Sequence, residues 1–202
     1  MSELLYKFFR GFFRLFFAVF YRWEVRGLEH VPDQGGVVVC CNHISNLDPP
    51  LVGSAMRRPV RFMAKEELFR VPVLSFLIRN FGAFPVQRDT ADKRAVKKAL
   101  SILKQGGVVG VFPEGTRSKT GELGEAHAGA SFIALKGEGQ VVPAAIIGPY
   151  RLFRKVTIVF GPPLDLSEYQ GQKRTSGSLK EVTHRIMGEI DSLLKENRRE
   201  RP

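Results

Sequence analysis

Six short apolar runs constrain this chain more than any other feature: residues 37–41, 60–64, 83–86, 108–112, 141–147 and 156–160. Each is bounded by Gly, Pro or charged residues, the pattern of buried strands. Helical patterns lie between them, at 49–56, 73–80, 90–104, 129–135 and 178–197. In the first, Asp48 stands at the N-cap with Pro in the first turn. The third is amphipathic and stops at Gly106-Gly107. The last turns Val182, Ile186, Ile190, Leu193 and Leu194 inward. The alternation predicts an α/β domain with a central sheet flanked by helices; it does not fix strand order, and a mixed, largely parallel sheet is the expected class.

The N-terminus departs from this pattern. Leu4, Leu5, Phe8, Phe9, Phe12, Phe13, Phe16 and Phe20 recur at helical spacing, opposite Lys7, Arg10, Gly11, Arg14, Ala18 and Arg22. The charges interrupt the segment too often for a spanning helix, and no small-residue cleavage site marks a signal peptide. Two readings remain open, and they are compatible. In one, an amphipathic helix lies in the membrane interface with its Lys and Arg toward anionic headgroups. In the other, the Phe face packs on its own domain or on a partner. The expected division is a membrane-docking helix over residues 1–22 and an α/β domain over 23–202.

Charge narrows the partners. The 202 residues carry 31 Lys+Arg against 20 Asp+Glu, a net of +11, which favours polyanions, anionic membranes or phosphorylated substrates. Nucleic acid is disfavoured, because the aromatics gather in one amphipathic helix and are not interleaved with a basic groove. Cys40 and Cys41 are adjacent in a predicted strand; they give neither a disulfide framework nor metal-ligand spacing, and the default compartment is the reducing cytosol.

Several polar clusters follow the predicted strands, where open α/β sheets bind their ligands. In Asn42-His43-Ile44-Ser45-Asn46-Leu47-Asp48, a histidine and an aspartate stand five residues apart. On one helix that spacing turns them ~140° apart, and Pro49 disfavours helix at Asp48. A loop feeding a helix start can instead fold the carboxylate onto the imidazole, leaving the other ring nitrogen as a base. Asp48 as a simple cap and His43 as a surface residue is the competing view. Phe112-Pro113-Glu114-Gly115-Thr116-Arg117-Ser118-Lys119 offers a close backbone approach at Gly115, donors at Thr116 and Ser118, and cations at Arg117 and Lys119. Its spacing is not that of a Walker phosphate loop, and an ordinary polar turn is the alternative. Gly82-Ala83-Phe84-Pro85-Val86-Gln87-Arg88 places a guanidinium at a strand end, and Lys65 ends another strand. Alone, Arg88 reads equally as a surface arginine, and Val142-Pro143-Ala144 as a bulge or edge strand.

Taken in order, these blocks resemble the glycerolipid acyltransferases, specifically the bacterial 1-acyl-sn-glycerol-3-phosphate acyltransferases. The first and third blocks carry most of the resemblance, which spans roughly residues 23–163. It implies that His43 is the catalytic base and Asp48 its partner. Arg88 would bind the phosphate of lysophosphatidic acid, and Glu114, Gly115, Thr116 and Arg117 the glycerol phosphate, with Lys65 as a further basic contact. The chain departs from the family at Pro85 and Gln87, and at His127-Ala128, where many relatives have Lys-Pro; His127 is read as a non-catalytic surface residue.

The implied reaction moves a fatty acyl group from acyl-CoA or acyl carrier protein to the free sn-2 hydroxyl of 1-acyl-sn-glycerol-3-phosphate, giving phosphatidic acid. A thioester is already activated, so no cofactor or metal is expected. Loop amides would stabilise the oxyanion. No Gly-x-Ser-x-Gly is present, which favours direct transfer over an acyl-enzyme. The expected location is the cytoplasmic face of the cell membrane, as a peripheral protein. The same chemistry on another lysolipid, or a non-catalytic basic membrane-binding module, are the competing functions.

Overall fold

The computed structural model describes residues 3–87, 92–169 and 175–199. In chain order the main elements are α1 (Glu3–Phe20), β1 (Arg22–Arg26), β2 (Val37–Cys41), α2 (Asp48–Ala55), β3 (Val60–Lys65), α3 (Pro72–Asn80), β4 (Phe84–Val86), α4 (Lys93–Lys104), β5 (Val108–Val111), α5 (Gly129–Gly137), β6 (Gln140–Ile147), β7 (Lys155–Phe160) and α6 (Ser176–Arg199). Among the described residues the strands form one sheet in the order β1-β7-β6-β2-β5-β3-β4. All neighbours are parallel except β6 and β7. The sheet is therefore mixed and largely parallel, the expected class, in a strand order that the alternation of runs left open.

Strand β2 occupies the centre because all five of its side chains are apolar and buried. Val37 pairs with Val108 on one side and with Gln140 on the other. Val37, Val39 and Cys41 join a core with α1 and α2 on one face; Val38 and Cys40 join a core with α4, α5 and α6 on the other. Each fully buried valine contributes about 1.5–3 kcal/mol. On α6, Val182, Ile186, Ile190 and Leu194 are buried at four-residue spacing, the inward stripe read from the sequence.

Pro143 lies in a paired strand, not at a bulge or an edge. Its carbonyl accepts the Gly161 amide at 2.8 Å, just past the end of β7. In a strand the N–H and C=O of one residue face the same neighbour, so the missing proline N–H falls where that neighbour ends.

Strand β1 is absent from the sequence reading. Arg22-Trp23-Glu24-Val25-Arg26 mixes charge with apolar residues, so it lacks the continuous run that marks the other strands. It pairs at the edge with β7, from Arg22 opposite Lys155 to Arg26 opposite Val159. The first helix ends at Phe20, so the boundary expected at residue 22 falls inside β1. Arg22 belongs to a strand and not to the basic side of the helix.

Helix α1 divides its aromatic face. Tyr6, Phe9 and Phe17 are buried, whereas Leu4, Phe8, Phe12, Leu15 and Val19 are exposed. Tyr6 stacks on Phe81 at 5.2 Å, and Phe17 enters the core beside α2. The two arginines of the basic side are committed to the fold, Arg14 Nε donating to the Ser54 carbonyl and an Arg10 guanidinium N–H to the Arg57 carbonyl, both at 2.8 Å, while Lys7 stays exposed and pairs with Glu3. These carbonyls lie at and just beyond the C-terminal end of α2, where cations complement the helix dipole. The expectation that these arginines face headgroups is corrected by those bonds. Among the described residues no helix is long and apolar enough to cross a membrane.

Strands β2 to β6 all run the same way, so the loops after them gather at one edge of the sheet. Strands β1 and β7 run against them, which brings the C-terminal end of α1 to that same edge.

Burial pushes the Cys40 thiol up to about 12 from an ordinary 9.0. Cys41 is also raised, by burial first and then by Asp48, Cys40 and Glu114. Because the folded values lie above the unfolded ones, the stability held by the neutral thiols is complete below pH 9 and is lost as pH rises toward 12. Native protein should resist thiol labelling with a disulfide reagent, and both cysteines should react in denaturant. The urea midpoint should fall between about pH 8 and about pH 10.5; labelling of the native protein at the lower pH contradicts this account.

Candidate active site

The loop from β2 to α2 folds His43 and Asp48 together. His43 Nδ1 lies 2.7 Å from Asp48 Oδ2. A carboxylate only accepts, so the imidazole proton belongs on Nδ1 and the lone pair on Nε2. Asp48 is completely buried and His43 is 7% exposed. The Asp48 carboxylate does not cap its helix: the residue before α2 is Leu47, and no side-chain cap bond is formed there. It turns back into the loop instead, accepting the Ile44 and Ser45 amides at 2.7 Å each on Oδ2. Oδ1 accepts the Tyr150 hydroxyl at 2.8 Å. The pair is therefore the loop-borne arrangement expected from the Pro49 argument, and the cap reading is displaced.

Aromatic rings hold the imidazole plane. His43 stacks on Phe112 with centroids 4.0 Å apart and planes 17° apart, and Phe112 stacks on Phe62 at 5.8 Å. Gly110 makes room for this column, since a Cβ there would collide with the Phe62 ring.

The loop after β5 is tied to the same backbone. Glu114 is buried, and its two oxygens accept the His43 amide and the Gly124 amide, each at 2.8 Å. The His43 carbonyl accepts the Ser118 amide at 2.7 Å. Glu114 thus clamps the two loops together. Gly115 has φ +64°, and a side chain there would also press on the His127 ring, so glycine is required. Thr116 and Arg117 follow on the exposed part of the loop.

Lys65 ends β3 and pairs with Glu67 at 3.2 Å. Arg88, and Thr90 at the expected start of the following helix, lie outside the described residues. A cavity of about 1320 Å³ opens between α4 and α5, with Lys65, Phe112, Gly115, Thr116 and His127 in its wall. Lys65 and the loop after β5 therefore meet at one cavity, and Phe112 joins that cavity to His43. Most of the remaining wall is apolar, including Met63, Val86, Val96, Leu100, Phe132 and Ile133.

Two contributors were not singled out from the sequence. Asn42 bridges β2 to β6: its Nδ2 donates to the Ile146 carbonyl at 2.9 Å, and its Oδ1 accepts the Ile146 amide at 2.7 Å. Tyr150 reaches Asp48 across 102 residues, and no local pattern announces such a contact. Burial first, then the charge of Asp48, raises the Tyr150 phenol well above its ordinary 10.0, so it remains a donor.

A buried His–carboxylate pair at the strand ends, beside a cavity lined by apolar side chains and four lysines, defines a class. The Acyltransferase family model matches residues 22–147, and the chain belongs to that family. The 1-acyl-sn-glycerol-3-phosphate acyltransferase of Bacillus subtilis (strain 168) is 30% identical over 191 residues, covering 90% of this chain and 95% of that protein. The enzyme of the same description from Streptococcus pneumoniae is 27% identical over 211 residues, covering 98% of this chain and 76% of that one. Among solved structures, the 1-acyl-sn-glycerophosphate (LPA) acyltransferase PlsC from Thermotoga maritima matches with a TM-score of 0.80 at 27% identity, over 98% of this chain and 81% of that chain.

The Glu114→Ala variant would leave two loop amides without their acceptor and should lower stability by about 2–4 kcal/mol. Glu114→Gln keeps one acceptor and should lose about half as much. Urea unfolding measures both, and wild-type midpoints for the two variants would rule out the clamp.

Proposed function

We propose that this acyltransferase transfers a fatty acyl group from an acyl thioester to the sn-2 hydroxyl of 1-acyl-sn-glycerol-3-phosphate, forming phosphatidic acid. The observation that carries the proposal is the His43 Nδ1–Asp48 Oδ2 contact at 2.7 Å, which directs the Nε2 lone pair away from its partner and makes it the base. Nε2 takes the hydroxyl proton as the oxygen attacks the thioester carbonyl. Asp48 stabilises the imidazolium. The tetrahedral intermediate collapses, expelling the thiolate, and the imidazolium returns the proton to that sulfur.

The raised thiols of Cys40 and Cys41 lie buried within β2, which favours direct transfer over a cysteine acyl-enzyme. The Ile44 and Ser45 amides are engaged by Asp48, so the oxyanion would draw on other donors of the site. In this reading Arg88, Arg117 and Lys65 hold the phosphate of lysophosphatidic acid, and Gly115 and Thr116 let its glycerol approach; Glu114 contributes by fixing their loop. Holding the phosphate places the hydroxyl at Nε2, where much of the acceleration arises. The largely apolar cavity suits a fatty acyl chain. Acyl-CoA or acyl carrier protein serves as co-substrate, and the reaction runs without a cofactor or metal.

The lipid acceptor gives α1 its second role. Its exposed Leu4, Phe8, Phe12, Leu15 and Val19 would rest in the interface of an anionic membrane, on the cytoplasmic face, while Tyr6, Phe9 and Phe17 grip the domain. Exposed Val73 and Phe76 of α3 adjoin this surface, with Phe76 edge-on to Phe9 at 6.3 Å.

His43→Ala should lower kcat by about 10²–10⁴-fold, and Arg117→Ala should raise KM for lysophosphatidic acid by about tenfold. Product identification with defined lysolipids and the two donor types checks the reaction; transfer to another lysolipid in preference to lysophosphatidic acid would overturn the acceptor assignment. Deleting α1 would remove buried core, so the membrane role calls for surface changes. Phe8→Ser, Phe12→Ser and Leu15→Ser together should abolish flotation with phosphatidylglycerol-containing vesicles while preserving the fold. Undiminished flotation would count against lipid docking by α1.

A further inference from the structure

The bonds at Asp48 divide between its two oxygens. Oδ2 gathers the imidazole and two loop amides. Oδ1 receives the hydroxyl of Tyr150, which belongs to the loop between β6 and β7. An aspartate's terminal torsion is broad and roughly two-fold, so the three bonds converging on Oδ2 anchor that oxygen while leaving rotation of the far oxygen less constrained. A donor on the far oxygen fixes that plane. We propose that Tyr150 is a positioning residue of this reaction: its hydroxyl sets the rotation and the charge distribution of Asp48, and through Asp48 the basicity and aim of His43. The inference rests on His43 acting as the base.

The surroundings equip Tyr150 for this role. Its ring packs edge-on against Tyr21, with centroids 5.9 Å apart. Tyr21 is buried directly after α1 and packs against Phe17 and Phe16, each at 5.8 Å. The loop itself is pinned to α1, with the Phe153 amide donating to the Phe20 carbonyl at 2.8 Å. Tyr150 is thus held from the end of the helix that carries the exposed aromatic surface, and it touches the catalytic pair through one hydrogen bond. The groups facing this cluster are Asp48 from the start of α2, Cys41 from β2 and Tyr21 from beyond α1. Glu114, in the loop after β5, acts on Cys41. Burial and Asp48 keep the phenol protonated, so Tyr150 donates throughout the working pH range and its own ionisation does not shape the profile.

A donor on Oδ1 draws negative charge from the carboxylate. Removing it leaves more charge facing the imidazole, favours the imidazolium, and makes the free base available only at higher pH. Tyr150→Phe should therefore move the acid limb of the kcat/KM–pH profile upward by about half a unit and lower kcat by about tenfold, with KM for lysophosphatidic acid unchanged. Incorporating 3-fluorotyrosine at position 150 keeps the ring and strengthens the donor, so it should move the limb downward. Far-UV circular dichroism and thermal unfolding establish that each variant is folded, and the fluorinated protein supplies the test if Tyr150→Phe does not fold. A uniform loss at every pH with an unmoved limb, or a fluorinated protein whose limb stays in place or rises, would overturn the positioning role. His43→Ala, assayed in parallel, separates the two readings: retained activity there would remove the base assignment, whereas lost activity together with unmoved Tyr150 limbs would remove only this inference.

Discussion

A buried carboxylate needs donors, and the site is organised by how Asp48 obtains them. Among the described residues it is met by an imidazole, two loop amides and a phenol. Leaving a buried charge unpaired costs several kcal/mol, about 3–5 when a partner is removed. The donors and the carboxylate come from segments that must all be in place: the loop after β2, the start of α2, and the loop after β6. Folding those segments and forming the His43–Asp48 pair are therefore one event. Glu114 repeats the device one strand over, binding the loop after β5 to the backbone of His43 itself.

The sheet makes this convergence possible. With β2 at its centre and its parallel neighbours on both sides, the loops that follow the strands share one edge. The reversed pair β1 and β7 brings α1 to that edge as well. As a result, the helix with an exposed aromatic face and the buried His43–Asp48 pair lie near each other, although the chain separates Phe17 from Tyr150 widely. Helix α1 serves two environments through two stripes. Tyr6, Phe9 and Phe17 give it a fixed seat, its arginines cap the end of α2, and the remaining aromatics stay at the surface.

Local patterns were informative where function depends on neighbours in sequence. The five-residue spacing of His43 and Asp48, with Pro49 blocking a continuous helix, already implied a folded loop. The inner strand runs were legible because both faces of the sheet are covered, so most of their residues are apolar. Strand β1 escaped notice for the converse reason: it lies at an edge and is only half-buried, and its charged residues resemble those of a linker. Arg10 and Arg14 looked like headgroup ligands because a helical wheel shows which face is basic but not what stands opposite. Glu114 looked like a substrate ligand because a sequence shows a carboxylate but not the two amides that occupy it.

The sequence by itself determined the fold class, the His–Asp pair and the order of the motif blocks. Each of these follows from burial periodicity or from residues close enough along the chain for backbone geometry to dictate their meeting. Tertiary structure alone decided that Glu114 clamps two loops, that Asn42 joins β2 to β6 and that Tyr150 reaches the carboxylate. These are long-range hydrogen bonds between buried groups. Their existence depends on which strands are neighbours and which loops share an edge, and that information is created only when the sheet assembles.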